Sequence, residues 1–401
     1  MAIHRSRLTP VVLAVFALAC ATARPSDSDD VFSPGPRTGV PASQNPFLHA
    51  DGARLADGHG NPVLLRGIAF GNLVWDNPAS PRVFHHSEAD YRMIRGLGMN
   101  TVRFYLNDGL FEDDGAPGVL KPSGFAWLDQ NVAWAKANGI YLVLNLHVPP
   151  GGFQSNGGGD ALWRVRENRR RFTALWRAIA LRYAGEPTIA GYDLLNEPVA
   201  ASSPSQWETL ARTTVAAIRE VDPRHAIFVE RLNAVGAGTS VDWTEDQNGE
   251  MNFFLVDDTN VVYEFHFYKP FQFTHQRATW VPPLRGLETN YPGPFTDWDG
   301  RRKVGDRTYL EKELAPYFAF GARHGVPLFL GEFGVIRHGY EPGRNGVGWT
   351  SDVIDLATAH GVSFTYHAYH EWTFGLWAND GALPPGDLNQ PLAELFARKL
   401  R

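Results

Sequence analysis

From about residue 63 to residue 367, short apolar runs alternate with longer stretches whose apolar residues recur at helical spacing. The runs at 63–69, 101–106, 141–146, 189–195, 226–230, 261–265, 328–331 and 363–367 have the length and apolar density of buried strands. Between them, 88–97, 125–138, 164–183, 205–221, 308–324 and 346–360 read as amphipathic helices. Strands alternating with helices in this way are βαβ units. An open doubly wound sheet would show a similar alternation. Eight strand candidates and the lack of a Gly-rich turn after the first favour a (β/α)8 TIM barrel with extended βα loops. No strong helix stands between the fifth and sixth strands, so that unit is expected to be irregular. Ahead of the first strand, residues 53–55 and 62–65 flank Asp57-Gly58-His59-Gly60-Asn61, which predicts a hairpin that closes the bottom of the barrel.

The start of the chain follows a different pattern. Arg5 and Arg7 precede an apolar run from 11 to 19, and Ala17-Leu18-Ala19 has the small-residue form of a cleavage site. Residues 1–23 are therefore expected to be an export signal, since the run is well short of the ~20 residues that cross a bilayer. The single cysteine, Cys20, falls directly after that cut. A lipid anchor on Cys20 at the cell envelope and ordinary secretion or periplasmic release both fit these residues. Residues 24–45 are rich in Pro, Ser, Asp and Gly and read as a disordered linker, which leaves 46–401 as one folded domain.

Composition narrows the partners. An apolar fraction of 44% is ample for a packed core, and one cysteine excludes an internal disulfide or a multi-thiolate metal site. The net charge of −6 comes with no long basic run, so nucleic acid is not expected as a partner. A monomer is expected.

In a barrel, polar residues just past the C-terminal ends of the strands converge on one face. Arg103 lies within strand two, and His147 ends strand three. Asn196 and Glu197 follow strand four, and His266 and Tyr268 follow strand six. Glu332 ends strand seven, and Trp372 lies past strand eight. Two carboxylates, Glu197 and Glu332, thus emerge toward one centre. Glycosidic bond cleavage needs such a pair: a protonated acid for the leaving oxygen, and a second carboxylate to attack or to activate water. Mutual repulsion raises one pKa of a close pair, and Arg103 would keep the other carboxylate ionised. Charge alone leaves open which Glu plays which part.

The ordered set Arg103, His147, Asn196-Glu197, His266, Tyr268, Glu332 and Trp372 resembles glycoside hydrolase family 5, over about residues 62–383. The resemblance implies a retaining (β/α)8 enzyme with Glu197 as general acid/base and Glu332 as nucleophile. It further implies that Asn196 binds the sugar 2-hydroxyl and that Arg103 and Tyr268 support the nucleophile. His266 would lie near the acid/base, His147 would line the cleavage subsite, and Trp372 would form the aromatic floor beneath the sugar. The stretch from His266 to Trp280 and the run His147-Val148-Pro149-Pro150-Gly151-Gly152 are similar to bacterial endo-β-1,4-glucanases. A β-linked polysaccharide or oligosaccharide is accordingly the expected substrate, with mannan, other β-glucans or a glycolipid as alternatives. One position departs from the pattern: Asn145 stands two before His147, where an Asp is frequent.

Other features read more plainly. Strand one lacks the His-x-His of metal-dependent barrel hydrolases, so neither a catalytic metal nor a cofactor is expected. The glycines at 151–152 and 157–159 lack the Lys-Ser/Thr ending of a phosphate loop and suggest a cleft rim. Trp75, Trp163, Trp280, Trp298 and Trp377 are candidate sugar platforms, and Arg169-Arg170-Arg171 reads as the solvated face of a helix.

Overall fold

The computed structural model describes residues 46–74, 86–155, 158–236, 246–378 and 386–401. The export segment, the linker, Cys20 and Trp75 lie outside them. Eight parallel strands close into a barrel in chain order. They are β1 (Arg66–Phe70), β2 (Thr101–Asn107), β3 (Tyr141–Val148), β4 (Ile189–Asp193), β5 (Ala226–Glu230), β6 (Val261–Phe267), β7 (Leu328–Phe333) and β8 (Ser363–Tyr366). Closure joins β8 back to β1 through Phe364 opposite Arg66. Each sequence-predicted strand is present within a few residues.

Side-chain alternation explains how one strand serves two environments. On β2, Val102, Phe104 and Leu106 pack outward into the main helix–strand core, while Arg103 and Tyr105 turn inward. On β6, Tyr263, Phe265 and Phe267 face outward and Glu264 and His266 inward. The barrel interior is divided along its axis. At the N-terminal end Val143, Ala190, Ala226, Phe228, Val262 and Phe329 make a separate apolar plug. Leu55 of the N-terminal antiparallel sheet, with Leu48 and Leu65 on either side of that sheet in the chain, covers it. That sheet comprises His49–Asp51, Arg54–Ala56 and Pro62–Val63, so the expected hairpin gains a third strand.

The outer layer contains α1 (Glu88–Gly96), α2 (Pro122–Ala137), α3 (Arg166–Tyr183), α4 (Pro204–Arg219), α5 (Arg307–His324), α6 (Gly346–Ala359) and α7 (Gln390–Lys399). Three fully buried tryptophans tie helices to the C-terminal end of the barrel. The indole of Trp176 on α3 donates to the Leu194 carbonyl at 2.9 Å, and that of Trp207 on α4 to the Glu230 carbonyl at 2.8 Å. Trp349 on α6 donates to the Lys269 carbonyl at 3.0 Å. Each ring fills the core while its single polar atom fixes a strand end.

Between β5 and β6 the described residues form no helix; there Ala234–Val235 pairs with Val199–Ala200 instead. The segment after β6 contains the antiparallel pair Gly293–Thr296 and Arg302–Gly305. Helix α7, absent from the expected set, completes the eighth unit. Its Leu392, Leu395 and Phe396 are buried, with Phe396 edge-on to Tyr366 of β8. Among the described residues no helix is long and apolar enough to cross a membrane.

Two expectations are corrected by packing. Arg171 is not on a solvated face: it is buried, with its Nε 2.7 Å from Glu112 and Nη1 2.8 Å from Asp114. Neighbouring Arg170 does face solvent and pairs with Glu167. Trp163 is core rather than platform, buried with its indole donating to Gln154 Oε1 at 3.0 Å.

Candidate active site

The buried Arg103 guanidinium organises the polar half of the barrel interior. Its Nε lies 2.8 Å from Asp193 and 3.0 Å from Glu264, Nη1 donates to Glu332 Oε1 at 2.7 Å, and Nη2 donates to Asn196 Oδ1 at 3.1 Å. These partners come from β4 and the segment after it, β6 and β7, so one side chain of β2 ties itself to three other walls of the barrel. Three carboxylates around one guanidinium leave an excess of negative charge. Burial, with Glu264 nearby, pushes Asp193 well above the ordinary carboxylate range although Arg103 opposes it.

Glu332 is the best-supplied acid. Besides Arg103, Oε1 accepts from the Tyr105 hydroxyl at 2.5 Å, and Oε2 accepts from the Tyr268 hydroxyl at 2.9 Å. Burial would raise its pKa, but His266, His367, Arg103 and His147 together hold it well below the carboxylate range. Glu332 is therefore an anion in a dry, donor-lined position.

Glu197 sits differently. Its side chain remains partly exposed toward the cleft and meets the His266 Nδ1 at 3.0 Å. No helix begins at Pro198. The Glu197 backbone has φ +43°, a left-handed conformation uncommon outside glycine, and its N–H donates to Glu230 Oε2 at 2.6 Å. A carboxylate oxygen of Glu197, one of Glu332 and a nitrogen of His266 all lie within 4.8 Å of one another.

His266 is surrounded by acids. Its Nε2 is 3.6 Å from Glu230 and 3.5 Å from Glu264, and its Nδ1 is 3.6 Å from Glu332. Burial alone would lower its pKa, yet Glu230 and Glu332 raise it well above the usual imidazole value. His147 behaves in the opposite way: burial drives it well below that value, and its Nδ1 faces the neutral Asn145 side chain at 3.1 Å. An Asp at 145 would have supplied a charge to hold a proton there; Asn does not. His147 stacks on Tyr105 with ring centres 4.0 Å apart. Asn196 Nδ2 donates to Ser155 Oγ at 3.0 Å, which sets its amide orientation at the rim.

Arg103, His147, Asn196, Glu197, His266, Tyr268 and Glu332 thus converge as the strand order implied. Trp372 is placed otherwise: it is 65% exposed in the loop beyond β8. The side chain that follows β8 and lies beside Glu332 is His367, with Nδ1 3.1 Å from the Tyr105 hydroxyl and 4.0 Å from Glu332. Trp280 is 53% exposed and packs near Phe374 and His275 above Tyr268, whereas Trp298 and Trp377 are partly buried in packing. The sequence reading missed Tyr105, Asp193, Glu230, Glu264 and His367. A carboxylate inside an otherwise apolar strand, as at Glu230 and Glu264, was the available signal.

Two sets of side chains have the spacing of metal ligands: Glu197, His266 and Glu332, and Glu230, Glu264 and His266. The Arg103 guanidinium already places a positive charge 3.0 Å from Glu264 in the second set. In the first, His266 and Tyr268 engage the carboxylates directly.

Comparison with known proteins agrees with this geometry. Residues 56–374 match the model for cellulase, glycosyl hydrolase family 5. Endoglucanase C of Acetivibrio thermocellus is 27% identical over 329 residues, spanning 78% of this chain and 91% of that protein. Cellodextrinase A of Ruminococcus flavefaciens is 25% identical over 288 residues, spanning 71% and 79%. Cel5A of Thermotoga maritima, solved in complex with cellobiose, shares the fold with a TM-score of 0.64 at 23% identity, covering 83% of this chain and 97% of its own. The Arg103-centred carboxylate pair and the extent of these matches lead to one assignment: the chain belongs to glycosyl hydrolase family 5 and is a glycoside hydrolase acting on O-glycosyl bonds.

Proposed function

We propose that the enzyme is a retaining endo-β-1,4-glucanase. The observation that carries the mechanism is the close approach of the two acids, with one oxygen of Glu197 and one of Glu332 within 4.8 Å of each other. Retaining enzymes hold their carboxyl groups ~5–5.5 Å apart, and inverting enzymes ~6.5–9.5 Å. The unequal surroundings of the two acids distribute the roles. Glu332, ionised by its donors, attacks the anomeric carbon. Among the described residues its Oε2 accepts only from Tyr268, whereas Oε1 is occupied by Arg103 and Tyr105, so Oε2 is the attacking atom. Glu197, partly exposed and paired with His266, gives its proton to the leaving oxygen. It then takes a proton from the water that opens the glycosyl-enzyme, which restores both acids.

The substrate follows from the relatives named endoglucanase and from the similarity of the stretch after β6. Soluble carboxymethylcellulose is the first test, with reducing ends counted for the wild type, Glu332→Ala and Glu197→Ala. The wild type should release reducing ends with retained anomeric configuration by NMR, and Glu332→Ala should fall to background. Glu197→Ala should lose about 10²–10⁴-fold on polysaccharide. It should lose far less on an aryl glycoside whose leaving group needs no proton. Inverted product would overturn the mechanism; turnover of mannan but not glucan would overturn the substrate. We also propose export through residues 1–23, which rests on their pattern alone.

A further inference from the structure

The side of the site behind Glu332 contains a chain of polar groups that the reaction just described does not use. Glu371, in the loop after β8, places Oε2 2.9 Å from His367 Nε2, and its other oxygen accepts from the Thr373 hydroxyl. His367 Nδ1 is 3.1 Å from the Tyr105 hydroxyl, which itself lies 2.5 Å from Glu332 Oε1.

Hydrogen-bond accounting fixes where the protons are. A phenol has one hydrogen, and the ionised Glu332 can only accept. The Tyr105 hydrogen is therefore committed to Glu332, and the phenol oxygen can only accept from His367 Nδ1. On the other side Glu371 Oε2 stands 2.9 Å from Nε2 as an ion-pair contact without the alignment of a ring N–H bond, and its charge favours a proton on the ring. With Nδ1 a donor and a carboxylate beside Nε2, His367 is held as an imidazolium. Its pKa is raised in the folded protein: burial lowers it, but Glu371 and then Glu332 outweigh burial. The titratable groups around it are Tyr105 on β2, His147 on β3, His266 on β6, His275 beyond β6, Glu332 on β7 and Glu371.

We propose that His367, clamped by Glu371, is a positioning residue that holds the Tyr105 hydrogen on the nucleophile and thereby keeps Glu332 aligned for attack. This rests on Glu332 being the nucleophile. When His367 loses its Nδ1 hydrogen, the Tyr105 hydroxyl can turn toward the exposed nitrogen lone pair. Glu332 then loses one of its three hydrogen bonds and part of its alignment.

The test separates this role from that of Glu197. A 2-deoxy-2-fluoro-β-cellobioside carrying a dinitrophenolate leaving group labels Glu332 without help from the acid. The pH dependence of its labelling rate therefore reports on the Glu332 side. In the wild type the rate should hold through the neutral range and fall on an alkaline limb. In Glu371→Gln that limb should move to lower pH by about 1–3 units, the usual effect of removing an adjacent opposite charge. Glu371→Asp should restore most of the shift, and in a Tyr105→Phe background Glu371→Gln should move nothing. Superimposable wild-type and Glu371→Gln profiles would overturn the inference while leaving Glu332 as nucleophile. Failure to label the wild type would remove both. Nitrogen NMR of His367 in the unaltered protein is an independent check: both ring nitrogens should be protonated at neutral pH, and a neutral ring would overturn the proposal whatever the variants do.

Discussion

Glu197 has a backbone conformation that a side chain disfavours, with φ +43° locked by the hydrogen bond from its N–H to Glu230. Left-handed backbone costs a non-glycine residue roughly 1–2 kcal/mol, and glycine almost nothing. At an ordinary position alanine is more stable than glycine by roughly 0.5–1 kcal/mol. Here the order should reverse, with Glu197→Gly up to about 1 kcal/mol more stable than Glu197→Ala in denaturant titrations. An alanine variant that is the more stable would show that the turn relaxes without the side chain. The residues legible in the sequence, such as Glu197, Glu332 and Tyr268, stand at strand ends, where the barrel's geometry assigns them a face. Tyr105 and Glu264 sit inside strands, where only the register against Arg103 shows that they turn inward, and Glu230 closes the otherwise apolar β5. His367 carries a weaker sign, because the aromatic floor that the resemblance implies is offered by Trp372, five residues further on.

Among the elements, the helices do more than cover the barrel. Trp207 of α4 holds the Glu230 carbonyl, and the Glu230 carboxyl holds the Glu197 backbone, so a helix of the outer layer sets the angle of Glu197. Trp207→Phe keeps most of the apolar volume but leaves that buried carbonyl without its donor, at a cost of about 1–3 kcal/mol. The variant should also lose more activity on polysaccharide than on an activated aryl glycoside, because it is Glu197, the proposed proton donor, that shifts. Equal losses on both substrates would place the effect elsewhere. The eight strands and six of the helices were readable from periodicity. Helix α7 was not read, although Asn389 and Pro391 at its start have the form of a cap and a first-turn proline. It is short and terminal, and its apolar stripe acquires meaning only beside Tyr366. The irregular fifth unit was anticipated because the chain between Glu230 and Val261 has no sustained helical period.

At the scale of the molecule, the barrel interior changes from an apolar plug to a charged centre along one axis. The apolar plug under its three-stranded cover provides packing at the closed end, and the open end can then carry the unbalanced charge that chemistry requires. Both ends of the described chain lie toward the closed end. Phe47 and Leu48 lead into the cover, and the Arg401 side chain donates to the Gly96 carbonyl where α1 stops, ahead of β2. Gly98 in that turn has φ +90° and comes so close to Leu400 that a methyl group would stand 2.4 Å from its carbonyl carbon. A bead, film or fusion partner joined at either end would therefore leave the cleft pointing outward. Enzyme immobilised through a tag after Arg401 should retain the kcat of the free enzyme on soluble oligosaccharide. Coupling through a cysteine introduced at exposed Trp372 should obstruct it, so orientation on the support, rather than loading, would decide the yield.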